Sequence, residues 1–169
     1  IMKILYLLRH AKSSPGNPGM KDFERSLNKR GLNDVPLVGS RFNEKDFSVQ
    51  CMISSSARRA ETTAVLMAQN TGFPIDDIII NSDLYLAGVG TFLRVAREIN
   101  EDCESAMLVG HNPAITEFAN QMMNKSIDNI PTCGLIKMSL PISYWSDIEL
   151  GKGVFMEFEF PKNLSESNV

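Results

Sequence analysis

The chain contains only two histidines, His10 and His111, and each directly follows an apolar run: Leu7-Leu8-Arg9-His10 and Leu108-Val109-Gly110-His111. A neutral imidazole is a nucleophile and proton carrier near pH 7, and it can hold a phosphoryl group on one ring nitrogen while the other donates a hydrogen bond. A third segment, Ser54-Ser55-Ser56-Ala57-Arg58-Arg59, places two guanidinium groups where a helical pattern begins. Positive charge in a first helical turn opposes the helix dipole, at a cost of ~0.3–1 kcal/mol. An anion seated between those side chains and the free helix amides would offset it. Arg9, Arg59 and the two imidazoles together suit phosphoryl transfer, where catalysis is mainly positioning and stabilisation of charge on the equatorial oxygens. Arg58 reads as a solvated neighbour. This chemistry requires neither a metal nor an organic cofactor.

The elements that must position these groups follow from hydrophobic patterning. Strands are expected at Ile4–Leu8, Cys51–Ile53, Ile78–Ile80, Met107–Val109, Leu135–Met138 and Val154–Phe160. The first and fourth are nearly continuous apolar runs, as in strands covered on both faces. The last alternates and reads as a half-exposed edge. Helical faces are formed by Ala60, Ala64, Met67 and Ala68, by Phe92, Ala96 and Ile99, and by Ile115, Phe118, Ala119 and Met122. A further helix is expected over Leu32–Phe42, with a start or kink near Pro36. Asn112-Pro113 reads as an N-cap and first-turn proline. Alternating strands and helices imply an α/β class, a three-layer α/β/α sandwich with a largely parallel sheet. Ligands of open α/β sheets bind outside the carboxyl ends of strands, so His10, His111 and Arg59 are expected at one crevice. The loop from Lys12 to Arg25 flanks it, which makes Ser13 and Arg25 candidate substrate contacts.

The 169 residues fit one domain, 1–169, with a frayed tail from about residue 161. A net charge of -3 gives no global attraction to nucleic acid or to an acidic membrane surface. Cys51, Cys103 and Cys133 are odd in number and widely spaced, so they read as reduced thiols, and with no leader pattern the expected location is cytoplasmic. A cysteine-phosphatase loop does not fit: six residues beyond Cys51 stands Ala57, not arginine.

Leu8-Arg9-His10 resembles the Arg-His-Gly motif of the histidine phosphatase superfamily. Ser55-Ser56-Ala57-Arg58-Arg59-Ala60-Glu61-Thr62-Thr63 and Val109-Gly110-His111-Asn112-Pro113 resemble its arginine and second-histidine segments. Asp22-Phe23-Glu24-Arg25-Ser26-Leu27-Asn28-Lys29-Arg30-Gly31 is similar to the corresponding stretch of the small SixA-type phosphohistidine phosphatases. The resemblance implies a phosphoglycerate-mutase-like fold, a nucleophile at His10, phosphate clamping by Arg9 and Arg59, and charge stabilisation by His111. It implies a hydrolase that passes through a phosphohistidine intermediate, with inorganic phosphate as product; the lack of a strong acid and connections too short for a large cap make phosphohistidine on a protein the expected substrate, with signal transduction as the setting. Small phosphomonoester hydrolysis, mutase-like transfer and a phosphate-binding module without turnover are the alternatives. The sequence departs from the family at Ala11, which replaces glycine, and after the third strand, where Asp83 is the nearest candidate for the usual acid.

Overall fold

Alternation along the first strand sets the architecture: Leu5 and Leu7 join one apolar cluster, Tyr6 and Leu8 another. Successive strand side chains point to opposite faces, so such a strand must be covered on both. A computed structural model describes the chain over residues 1–166. The elements run β1 (Lys3–Arg9), α1 (Lys29–Glu44), β2 (Cys51–Ser54), α2 (Arg58–Thr71), β3 (Ile79–Ile80), α3 (Val89–Arg97), β4 (Ser105–Gly110), α4 (Ala114–Met123), β5 (Leu135–Leu140), β6 (Val154–Glu159) and α5 (Pro161–Glu166). They form a six-stranded sheet in the order β3-β2-β4-β1-β5-β6. The first four strands in that order are parallel, and β5 alone is reversed, pairing antiparallel with both β1 and β6. Phe92, Phe118, Met122 and Trp145 cover one face with Leu5, Leu7 and Leu108. Val35, Phe42, Ala60 and Met67 cover the other with Tyr6, Leu8 and Val109.

Several expectations are corrected. Helix α1 starts at Lys29, because Asn28 caps it by accepting a 2.9 Å bond from the Gly31 amide, and Pro36 lies inside the helix. Burial of Val35, Val38 and Phe42 outweighs the missing proline hydrogen bond. Cys51 and Cys103 are joined in a disulfide, contrary to the reduced-thiol reading. Parallel pairing of β2 with β4 brings the start of one beside the approach to the other, a proximity that residue spacing does not reveal. Cys133 is a free, buried thiol. The tail is helical over Pro161–Glu166, with Leu164 packed against the α1 and α2 side; residues 167–169 lie outside the described residues. Strand β6 is an edge, but Val154, Phe155 and Met156 are all exposed, because a register shift at Lys137/Met138 breaks the alternation. Among the described residues no helix is long and apolar enough to cross a membrane.

Candidate active site

The register carries the two histidines together. Arg9 is paired with Gly110 across β1 and β4, and the His10 amide donates to the Gly110 carbonyl at 3.1 Å. Ser54 is opposite Val109, so Ser55 leaves β2 at the same edge, and its amide donates to the Val109 carbonyl. The His10 and His111 ring centroids are 5.1 Å apart. Both rings are buried, as is the Arg59 side chain, while Arg58 is exposed. A cavity of about 350 Å³ is lined by Arg9, His10, Ser13, Arg25, Arg59 and His111, among others. The structure thus brings together every candidate of the sequence reading except one.

The exception is Asp83. Its carboxylate accepts from Arg94 at 2.9 Å on the surface, its amide is held by the Asn81 side chain, and it lines no part of this cavity. The acid beside the cavity is Asp22. Arg59 donates through one guanidinium nitrogen to the Asp22 carbonyl at 2.8 Å and through another to its Oδ2 at 3.0 Å, and the Tyr85 hydroxyl donates to Oδ2 at 2.8 Å. Those hydrogen bonds, with Tyr85 first, hold Asp22 below the usual carboxylate range. Arg25 lies 3.5 Å from Asp22 Oδ1, donates to Ser13 Oγ at 2.7 Å, and lines the cavity.

Local hydrogen bonds fix the rings. His10 Nδ1 lies 2.7 Å from the Ala11 carbonyl, which can only accept, so the proton is on Nδ1 and Nε2 keeps its lone pair. Burial, the nearby His111 and the Arg59 and Arg9 charges push His10 down to about 3, against the opposing pull of the Ala11 carbonyl. Burial and Arg59 push His111 down to about 4. His111 Nε2 lies 2.7 Å from Ser55 Oγ, and its Nδ1 is buried without a partner, as are the Nε atoms of Arg9 and Arg59. Buried donors left unpaired are costly, and the two guanidinium Nε–H groups beside one cavity suit an anion. Arg9 is anchored by donating to the Ile130 carbonyl at 2.9 Å, in the segment that leads into β5. Ala11 is fully buried in the core, and its amide donates to Thr63 Oγ1 at 2.9 Å, so the methyl that replaces a family glycine is absorbed by packing. Thr63 in turn donates to the Arg59 carbonyl at 2.7 Å, tying helix α2 to the loop after β1.

Asn112 corrects the capping expectation. Pro113 takes the cap position of α4, while Asn112 accepts from Thr116 Oγ1 and donates to the Ile130 carbonyl. Asp22, Tyr85, Ser55 and Thr63 were not singled out by sequence. Asp22 stood in a loop whose fold-back onto α2 has no periodic signal, and Tyr85 stood two residues past the acid that drew attention.

A neutral imidazole with a free Nε2, a second neutral imidazole and two guanidinium groups stand at the carboxyl edge of a phosphoglycerate-mutase-like α/β/α sandwich, a set of groups suited to phosphoryl chemistry. Residues 5–84 match the model of the histidine phosphatase superfamily, branch 1. The crystal structure of a protein assigned as the phosphohistidine phosphatase SixA from Agrobacterium tumefaciens is similar at TM-score 0.82 and 25% identity, over 94% of this chain and 98% of that one. The structure of the protein histidine phosphatase SixA complexed with tungstate superposes at TM-score 0.82 with 18% identity, over 95% and 99% of the two chains. An uncharacterized protein of Mycobacterium tuberculosis is 25% identical over 165 residues, 92% of this chain and 100% of its own length. The family match covers residues 5–84, just under half of the chain, and the fold over nearly the whole chain is that of the SixA structures.

Proposed function

We propose that this protein is a histidine phosphatase, and that it hydrolyses phosphohistidine on a protein partner through a phosphorylated His10. The observation that carries this reading is the buried, neutral His10, with its Nδ1 proton on the Ala11 carbonyl and its ring between Arg9, Arg59 and His111. Nε2 attacks phosphorus, a P–N bond forms to His10, and the bond to the leaving group breaks with its electron pair. Arg9 and Arg59 hold the equatorial oxygens, and His111 stabilises their developing charge. Water then attacks the phosphorylated His10; its oxygen joins phosphorus, the P–N electrons return to Nε2, and the water proton passes to a neutral base, the role assigned here to His111. Ser13 and Arg25 act at the rim.

The acid supply favours a phosphoramidate. Asp22 is held ionised by Tyr85 and Arg59, which makes it a poor proton donor at neutral pH. An alkoxide leaving group needs that proton. A phosphoimidazole already protonated on its second nitrogen leaves as a neutral ring and needs none. A role in protein signalling follows from such a substrate. A cytoplasmic setting fits it, whereas the Cys51–Cys103 disulfide weighs towards an oxidising one.

The test is phosphate release from a phosphohistidine-bearing protein and from an aryl phosphate, with chelator present, for the wild type and His10→Ala. The expected result is turnover in the wild type that exceeds that of His10→Ala by at least about a thousandfold, with the protein substrate preferred. Undiminished turnover in His10→Ala would discard the nucleophile, and a preference for small phosphomonoesters would discard the substrate.

A further inference from the structure

Arg59, His111 and Asn112 line two cavities, not one. The first contains His10. The second, about 260 Å³, is walled by Leu84, Tyr85, Leu86, Ala87, Pro113 and Ala114, and His10 does not line it. We propose that this second cavity is the leaving-group subsite, and that it takes a flat ring of imidazole or aryl type in preference to a polyol or carboxylate. The proposal rests on the phosphatase reading and names the part of the substrate that the phosphate pocket does not hold.

Chemistry of the walls selects the ring. Apart from Arg59, which belongs to the shared side, the lining residues carry no charge at neutral pH. A leaving group with several hydroxyls or a carboxylate would lose water there without finding partners, whereas a ring loses little and gains apolar contact. The cavity lies below the range typical of whole small-molecule sites, so it suits one side chain and not a larger ligand. Its aromatic wall is already fixed: Tyr85 is held by its hydroxyl on Asp22 at 2.8 Å, by Phe23 edge-on at 5.3 Å, and against His111 at 5.7 Å.

Leu86 supplies an independent observation. It is 84% exposed and has φ of 56°, in the left-handed region that branched apolar residues avoid. Neither core packing nor backbone preference accounts for leucine at that position. An apolar group seated in the cavity beside it would cover that side chain, and strained residues of this kind concentrate at ligand clamps.

The experiment compares phosphoimidazole, 4-nitrophenyl phosphate and glycerol 3-phosphate as substrates of the wild type and of Leu86→Asn, with inhibition by inorganic phosphate measured alongside. Asparagine tolerates the left-handed backbone, so the variant keeps the loop and loses only the apolar contact. The wild type is expected to favour both ring substrates over glycerol 3-phosphate. Leu86→Asn is expected to lower kcat/KM for the ring substrates by about tenfold, mainly through KM, while phosphate inhibition is unchanged. Turnover by the wild type without ring preference, or ring substrates unaffected by Leu86→Asn, would overturn the subsite and leave the phosphatase reading standing. Absence of turnover by the wild type on all three substrates and on a phosphohistidine-bearing protein would overturn both, whereas turnover of the protein alone would overturn only the subsite.

Discussion

A histidine buried between guanidinium groups resists taking a second proton, because burial removes the water that would stabilise the cation and the neighbouring charges repel it. His10 and His111 are pushed down to about 3 and about 4 on these grounds. Only two histidines exist, so ring NMR resonances can be followed without crowding. Both are expected to keep neutral-ring shifts from about pH 8 down to about pH 5, where an ordinary histidine would have titrated near 6.5. The sign for stability follows. Below about pH 6.5 the unfolded chain binds protons at these positions that the folded chain does not, so this contribution is full above that pH and lost as pH falls towards about 4 and 3. Thermal unfolding of the wild type should therefore drop through that window more steeply than that of His10→Gln. A His10 resonance that titrates near 6.5 would refute the neutral nucleophile.

At the scale of elements, the site depends on how closely α1 approaches the loop after β1. Gly31 stands in the first turn of α1, and a Cβ built there would collide with the backbone carbonyl of Lys12. That carbonyl accepts from the Asn28 amide at 3.0 Å, and Lys12 is two residues beyond His10. A side chain at Gly31 must push backbone, which cannot yield as a flexible side chain would. Gly31→Ala should destabilise the fold by about 1–3 kcal/mol. It should also lower kcat/KM by roughly ten- to a hundredfold through misplacement of the His10 loop. Urea unfolding and steady-state rates on the same variant check both, and a stability loss with unaltered kcat/KM would show that the loop is positioned otherwise. Sequence patterning located all six strands and the core faces of α2, α3 and α4, because those signals are periodic and local. It located the histidines at one edge because β1 and β4 declare themselves as buried central strands. It missed Asp22 and Tyr85 because their meeting depends on how two irregular loops fold over α2, and it misplaced the acid at Asp83 because chain proximity to a strand end does not fix which way a turn residue faces.

Across the whole molecule the two ends of the sheet have different tasks. The carboxyl ends of the parallel strands carry His10, Ser55 and His111, whereas Cys51 begins β2 and Cys103 precedes β4 at the opposite end. That end is knitted independently of the pocket: the Cys103 carbonyl accepts from the buried Lys3 ammonium at 3.0 Å and from the Trp145 indole at 2.8 Å. The disulfide spans 52 positions in sequence and crosses from one strand to its neighbour, so it restricts the unfolded chain far more than it shapes the phosphate site. Reduction, or Cys103→Ser, should lower unfolding stability by about 2–4 kcal/mol. At temperatures where the protein stays folded, phosphate release should be the same with and without reductant, since no element between the disulfide and the pocket has to move. A urea midpoint unchanged by reductant would mean that the bridge contributes nothing to stability in solution. Loss of activity in a reduced but folded sample would mean that the two ends of the sheet are coupled, and that the strands transmit what the hydrogen-bond pattern gives them no means to absorb.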